Sequence, residues 1–281
     1  MLSHTFSHVP GIGPKAENAL WRAGIFDWEQ FLETRDSLPM PAAKIHHAPS
    51  QIQDSRTALA ERNHAFFTKL LPPGEHWRLF AEFKEAVAYV DIETTGLSAG
   101  FNEITTIALY DGRDIRYYIN GHNLAAFPND IRAYDLLVTY NGKCFDIPFM
   151  ESFFNTRFHQ AHIDLRYVLK SLGHTGGLKG CEKQFGLDRA ALDGVDGYFA
   201  VLLWQHYQAT RKVNALQTLL AYNIEDVLNL ETLMHEAYNR KIQSLADTPA
   251  QPLKTPGKPE APFTPDRHLI EKLKYHWRPA F

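Results

Sequence analysis

The chain has 281 residues, 44% of them hydrophobic and 12% aromatic, enough for one sizeable catalytic domain with an appendage, which excludes a disordered or fibrous protein. A formal charge of −3 at pH 7 argues neither for nor against nucleic acid, so any such binding must use a local basic patch or metal-bridged phosphates. Two cysteines, Cys144 and Cys181, have no C-x-x-C partner, and no run of about eighteen apolar residues or charged-then-apolar start occurs; a zinc site, a disulfide framework and a membrane span are therefore unsupported, and a soluble cytoplasmic protein is expected.

Near the start, Gly11-Ile12-Gly13 makes a tight turn before a helix expected from Pro14 to Arg22; Gly24 closes it and a second helix begins near Asp27. This stretch resembles a helix-hairpin-helix motif, in which backbone N–H groups around Gly11 and Gly13, with Lys15, would meet a nucleic-acid phosphate. A small packing module is the alternative. Residues 36–55, with Pro39, Pro41, Pro49 and the His46-His47 pair, read as an irregular connector. The spacing of Leu59, Phe66, Phe67, Leu70 and Leu71 predicts one amphipathic helix from Ser55 to Leu71, stopped by Pro72-Pro73-Gly74. The aromatic stretch from Trp77 to Phe83 then reads as core.

From Val87 the pattern becomes α/β. Strands are expected at Val87 to Glu93, near Glu103 to Tyr110, and at Ile115 to Ile119, the last two joined by an Asp111-Gly112 turn; Leu136 to Tyr140 is a further buried-strand candidate. In the first strand Asp91 and Glu93 share a side while Val90 and Ile92 face the core. Paired acids repel unless a cation lies between them, and hard divalent cations prefer oxygen ligands; a solvated strand end is the other reading. Asp146 precedes a helix carrying Pro148 in its first turn and reads, taken alone, as an ordinary helix cap, as does Asp164. Gly173 to Gly180 lacks the spacing of a phosphate loop and reads as a turn before a helix at Leu178 to Phe185. Tyr198 to Thr210 and Val213 to Arg240 are helical; in the second, Tyr222 and Asp226 lie one turn apart on one face. Residues 247–265 form a proline-rich extended linker, and the piece after it, with Arg267, Lys272, Lys274, Tyr275, Trp277 and Arg278, is assigned no role.

Asp91-x-Glu93, Tyr140-Asn141-x-x-x-Phe145-Asp146 and Tyr222-x-x-x-Asp226, in that order, resemble the three exonuclease motifs of the DEDD superfamily, and the tyrosine points to its DEDDy branch. From Leu79 to about Met234 the chain is similar to the RNase H-like exonucleases of the YprB type, relatives of the proofreading domain of B-family DNA polymerases. The resemblance implies an RNase H-like α/β fold, a mixed central sheet flanked by helices, over residues 76–245. A helical region with the hairpin motif would occupy 1–75, and the linker and tail 246–281. It further implies a 3′–5′ exonuclease using two divalent cations, Mg²⁺ or Mn²⁺, with nucleic acid as partner, DNA ahead of RNA, single-stranded DNA first, and no membrane. Asp91, Glu93 and Asp226 would hold one ion, and Asp91 with Asp146 the other. Tyr222 would position the attacking water rather than act as base, since a phenol with a pKa of about 10 is a poor base at neutral pH. Thr94, Thr95, Gly96 and Leu97 would contact the terminal nucleotide, Leu97 against its base, and Asn141 and Phe145 would line the same cleft. An RNA exonuclease of the RNase D sort shares these ligands, and a catalytically silent nucleic-acid-binding module is the reading from another class.

Overall fold

The structure, a computed structural model, describes residues 1–34, 40–41, 45–189, 192 and 194–276. Pro39 of the connector and Trp277 and Arg278 of the tail lie outside them.

Helices α1 (Pro14–Arg22) and α2 (Trp28–Glu33) form where the turn residues predict: Gly13 occupies the position before α1, and the Asp27 carboxylate caps α2 by accepting from Gln30 N–H. The single helix expected at Ser55 to Leu71 is instead two, α3 (Ala48–Ala60) and α4 (His64–Leu70). Arg62 turns left-handed at φ 53° and the Asn63 side chain caps Phe66 N–H, which stops one helix and starts the next within the apolar period. Because Pro49 fits the first turn of α3, that helix also reaches back into the stretch read as connector. The short α5 (Phe80–Phe83) follows, and Trp77, Phe80 and Phe83 are buried as expected.

One apolar cluster runs without a break from Leu2, Phe6, Trp21 and Phe31 through Trp77 and Phe80 to Tyr89, Leu230 and Tyr238. Arg78 crosses this core to meet Glu17 through two hydrogen bonds of 3.0 and 2.8 Å, each side chain only 1% exposed. Glu17 also accepts from the N–H groups of Phe6 and Ser7, so its charge is fully engaged.

The sheet has five strands in the order β3-β2-β1-β4-β5: β1 (Val87–Thr94), β2 (Ile104–Tyr110), β3 (Ile115–Ile119), β4 (Leu136–Thr139) and β5 (Ala161–Asp164). β1 pairs antiparallel with β2, and β2 with β3; β1–β4 and β4–β5 are parallel, giving the mixed sheet the resemblance implies. β5, four residues long, has no signal of its own in the sequence and exists by pairing with β4. Alternation along the central strand splits the core: Val90 and Ile92 join Ile107, Leu109 and Leu137 under α6 (Phe127–Asp130) and α7 (Asp146–Phe154), while Tyr89 faces the opposite layer. That layer comprises α8 (Leu165–Ser171), α9 (Gly177–Gln184), α10 (Gly197–Thr210) and the long α11 (Val213–Ser244).

Residues 247–265 contain no helix or strand, as expected, but they lie against the domain rather than hanging free. Leu253 and Asn239 exchange two hydrogen bonds, and the Phe263 ring meets Tyr117 at 5.1 Å. The terminal α12 (Arg267–His276) docks through buried Leu269 and Ile270, with Asp266 bonded to Asn214 and Thr218 of α11. Among the described residues no helix is long and apolar enough to cross a membrane.

Candidate active site

Asp91 and Glu93 sit near the end of the central strand on the face turned to α11. The strand pairs Glu93 with Thr106 but Thr94 with Ile104, so a bulge breaks the register between the second acid and the turn that follows. Thr94 Oγ1 donates to the Gly96 carbonyl at 2.7 Å and Thr95 Oγ1 accepts from Glu103 N–H at 3.0 Å. At Gly96 a Cβ would fall 2.5 Å from the Asn102 amide oxygen, so any larger residue there would have to push that side chain aside. Its tip carries Leu97, 84% exposed.

The second acidic segment is held by a residue that reads in sequence as a plain cap. Asp164 does cap α8, accepting from Arg166 N–H, but it also accepts from the N–H groups of Asn141 and Lys143 at 2.7 and 3.0 Å. Asn141 adopts φ 67°, and a Cβ on Gly142 would collide with Thr139. The clamp therefore fixes the loop out of β4 and the start of α7. Asp146 is the first residue of that helix rather than the residue before it, and its buried carboxylate, with the backbone N–H groups of its own residue and of Ile92 as partners, lines the cleft.

On α11, Tyr222 and Asp226 stand one turn apart on the face toward β1. Between them Asn223 donates to the Asp91 carboxylate at 2.7 Å and to its carbonyl at 3.2 Å, while accepting from Thr106 Oγ1 at 3.0 Å. This residue, part of the third motif but given no role by the sequence, fixes the helix against both central strands.

Asp91, Glu93 and Asp226 each place a carboxylate oxygen within 4.8 Å of the others. Burial, followed by the Asp226, Glu93 and Asp146 charges, pushes Asp91 well above the usual carboxylate range, against the Asn223 hydrogen bond. Burial and the Asp226 and Asp146 charges do the same to Glu93. Asp146 is raised to about 7 and Asp226 to about 6, burial leading in both and the Arg189 guanidinium opposing it at Asp226. Buried like charges of this kind call for a counter-cation.

Two basic residues supply part of it, and sequence reasoning missed both. Arg189 grips Glu182 at 2.5 and 2.7 Å and also donates to Asp226; its Nη1 is buried with no partner among the described residues. Lys179 donates to the Val195 carbonyl and lies 5.0 Å from the centre of the Tyr222 ring, with the Arg189 guanidinium 5.5 Å away on that ring. Lys179 belongs to the glycine-rich turn and helix start read as merely structural; Arg189 sits in a coil with no pattern to mark it. Tyr222 itself is buried, and its phenol is driven far above its ordinary value by burial and the Asp226 charge.

These groups line one cleft of about 480 Å³. It contains Asp91, Glu93, Thr94, Thr95, Gly96, Leu97, Asn141, Phe145, Asp146, Tyr222 and Asp226 together, and adds Lys179, Arg189 and Tyr198. Gly11, Gly13 and Lys15 are exposed on the N-terminal hairpin and are not among its lining residues. Trp77, just past that region, packs on Tyr238 of α11 with ring centres 5.7 Å apart, twelve residues and about 18 Å of helix beyond Asp226.

The donor set is all carboxylate oxygen, the chemistry of Mg²⁺ or Mn²⁺, and three of its acids converge closely enough to share one ion. The fold and this cluster define a nuclease-type α/β domain. The chain belongs to the RNase_H superfamily: the family model RNase_H_2 matches residues 88–238. It is 28% identical over 193 residues to a Bacillus subtilis (strain 168) protein named uncharacterized protein YprB, covering 60% of this chain and 45% of that one, so the chain spans less than half the relative's length. A solved structure, the family B DNA polymerase from the hyperthermophilic archaeon Pyrobaculum calidifontis, aligns over 56% of this chain and 29% of its own with 13% identity and a TM-score of 0.34.

Proposed function

We propose that the chain is a DEDDy-type 3′–5′ exonuclease that uses two divalent cations to remove nucleotides from the 3′ end of nucleic acid, single-stranded DNA first. The observation that carries this reading is the convergence of Asp91, Glu93 and Asp226 within 4.8 Å, with Asp146 and Tyr222 in the same cleft. Asp91, Glu93 and Asp226 would hold one Mg²⁺ or Mn²⁺ and Asp91 with Asp146 a second. Bound there, the cations would neutralise the scissile phosphate and lower the pKa of the attacking water.

The chain's own side chains do the rest. Tyr222, whose phenol stays protonated, orients the water through its hydroxyl rather than taking a proton. Leu97 and Phe145 offer apolar surface to the terminal base, and Thr94, Thr95, Gly96 and Asn141 shape its berth. Gly11, Gly13 and Lys15 would grip a phosphate outside the cleft.

Matched single-stranded DNA and RNA oligonucleotides with Mg²⁺ or Mn²⁺ test the reading. Faster release of mononucleotides from DNA, abolished by Asp226→Ala with the circular-dichroism spectrum preserved, is the expected result. Faster release from RNA would reverse the sugar preference, and no release from either would leave only a binding module.

A further inference from the structure

A second concavity, of about 730 Å³, opens directly beside the catalytic cleft and shares Tyr140 and Asn141 with it. One wall is the exposed face of α8, where Arg166, Tyr167 and Lys170 project; the other is the glycine-rich turn from His174 to Gly177 that the catalytic assignment does not use. None of the described residues lining it is an acid.

We propose that this groove is the track for the single-stranded nucleic acid upstream of the scissile bond, a proposal that rests on the exonuclease reading of the adjoining cleft. A chain whose 3′ terminus sits among Asp91, Glu93 and Asp226 must leave past the cleft's rim, and Tyr140 and Asn141 make that rim common to both spaces.

The chemistry of the groove fits a phosphodiester chain with unpaired bases. Arg166 donates to Asn141 Oδ1 at the junction, which places its guanidinium where the next phosphate would pass. Lys170 lies one turn further along the same helix, exposed. Between them Tyr167 is 48% exposed, its hydroxyl 3.2 Å from Cys144 Sγ, leaving a ring face for an unstacked base. His174 plays no part in binding charge, because its two ring nitrogens are engaged by Gln184 and Arg240. Opposite the aromatic wall, Gly176 and Gly177 take φ +104° and +75°, so bare backbone rather than side chains faces the strand. In a duplex each base is stacked between its neighbours and has no free face to lay on the Tyr167 ring, so the track selects single strands.

Fluorescence anisotropy with a labelled single-stranded decanucleotide in Ca²⁺ reads the groove without requiring turnover. Combining Lys170→Glu with Tyr167→Ala should raise Kd by about tenfold or more, and Lys170→Gln alone should lower the slope of log affinity against log salt by about 0.7. Hydrolysis of a p-nitrophenyl ester of thymidine monophosphate, too short to reach the groove, should stay at the wild-type rate. Unchanged decanucleotide affinity in these variants overturns the track, as does a wild-type protein that binds no decanucleotide. If affinity falls as predicted but the wild type hydrolyses neither ester nor oligonucleotide, the groove stands and the exonuclease reading fails.

Discussion

Arg189 donates through one nitrogen to Asp226 while the same guanidinium holds Glu182 by two further bonds. Asn229 braces Glu182 from α11 at 2.8 Å, and Lys258 of the C-terminal strap reaches Asn229 at 2.9 Å. A candidate metal ligand is thus oriented by a buried Arg189–Glu182 pair that is braced in turn, through the Asn229 amide, by the partly exposed Lys258.

Arg189 is accordingly a positioning residue. Arg189→Lys keeps a positive charge but cannot span Glu182 and Asp226 together, and metal affinity, measured by calorimetry, should weaken by about 10–100-fold. Arg189→Met leaves two buried carboxylates unpaired and should also lower stability by about 3–5 kcal/mol in denaturant melts. Unaltered metal affinity in the lysine variant would remove the positioning role.

Crowding of Asp91, Glu93 and Asp226 has a cost when no cation is added. Asp91→Asn relieves part of that repulsion and its amide oxygen still accepts from Asn223, so the metal-free thermal midpoint should rise, by about 2–4 °C for each kcal/mol relieved. Mg²⁺ or Mn²⁺ should raise the midpoint of the wild type, and that shift should disappear in the same variant. A lower metal-free midpoint, or a retained metal shift, counts against the site.

His8 makes acid the threat to the N-terminal core. Burial, with the Arg78 charge, lowers its pKa from 6.5 to about 4. Below pH 6.5 the unfolded chain takes up a proton that the folded protein refuses until about pH 4, so stability falls as pH drops through that window, by up to about 3 kcal/mol. His8→Phe should flatten this limb of the stability curve, since Ser55 keeps its own bond to the Gln51 carbonyl. Parallel curves for the two proteins would refute the assignment.

The ion pairs separate by burial. Glu17→Gln breaks the Arg78 pair in the core and should cost about 3–5 kcal/mol, whereas Asp247→Asn, which breaks the exposed pair with Arg22, should cost less than about 1 kcal/mol. Comparable losses in urea melts would contradict the distinction.

What the sequence makes legible is what has a period. Asp91 and Glu93 alternate with Val90 and Ile92, Tyr222 and Asp226 fall one helical turn apart, and Pro14 and Asp27 mark helix starts, so the strand, the helix and the faces that meet in the cleft follow from spacing. What depends on distant partners does not. Arg189 is one arginine in a coil until folding brings it to Asp226; Asp164 looks like any cap until Asn141 and Lys143 arrive at its carboxylate. β5 is too short to announce itself, and the break between α3 and α4 rests on the backbone of Arg62, inside an otherwise continuous apolar rhythm.

The central claim, a metal-dependent exonuclease working from the 3′ end, is tested most directly by digesting a 5′-labelled single-stranded DNA oligonucleotide with Mn²⁺ and following the label over time. The account predicts a ladder that shortens one nucleotide at a time from the 3′ end and vanishes with chelator or with Asp91→Asn. Immediate release of a labelled mononucleotide, or internal fragments without a ladder, would contradict it.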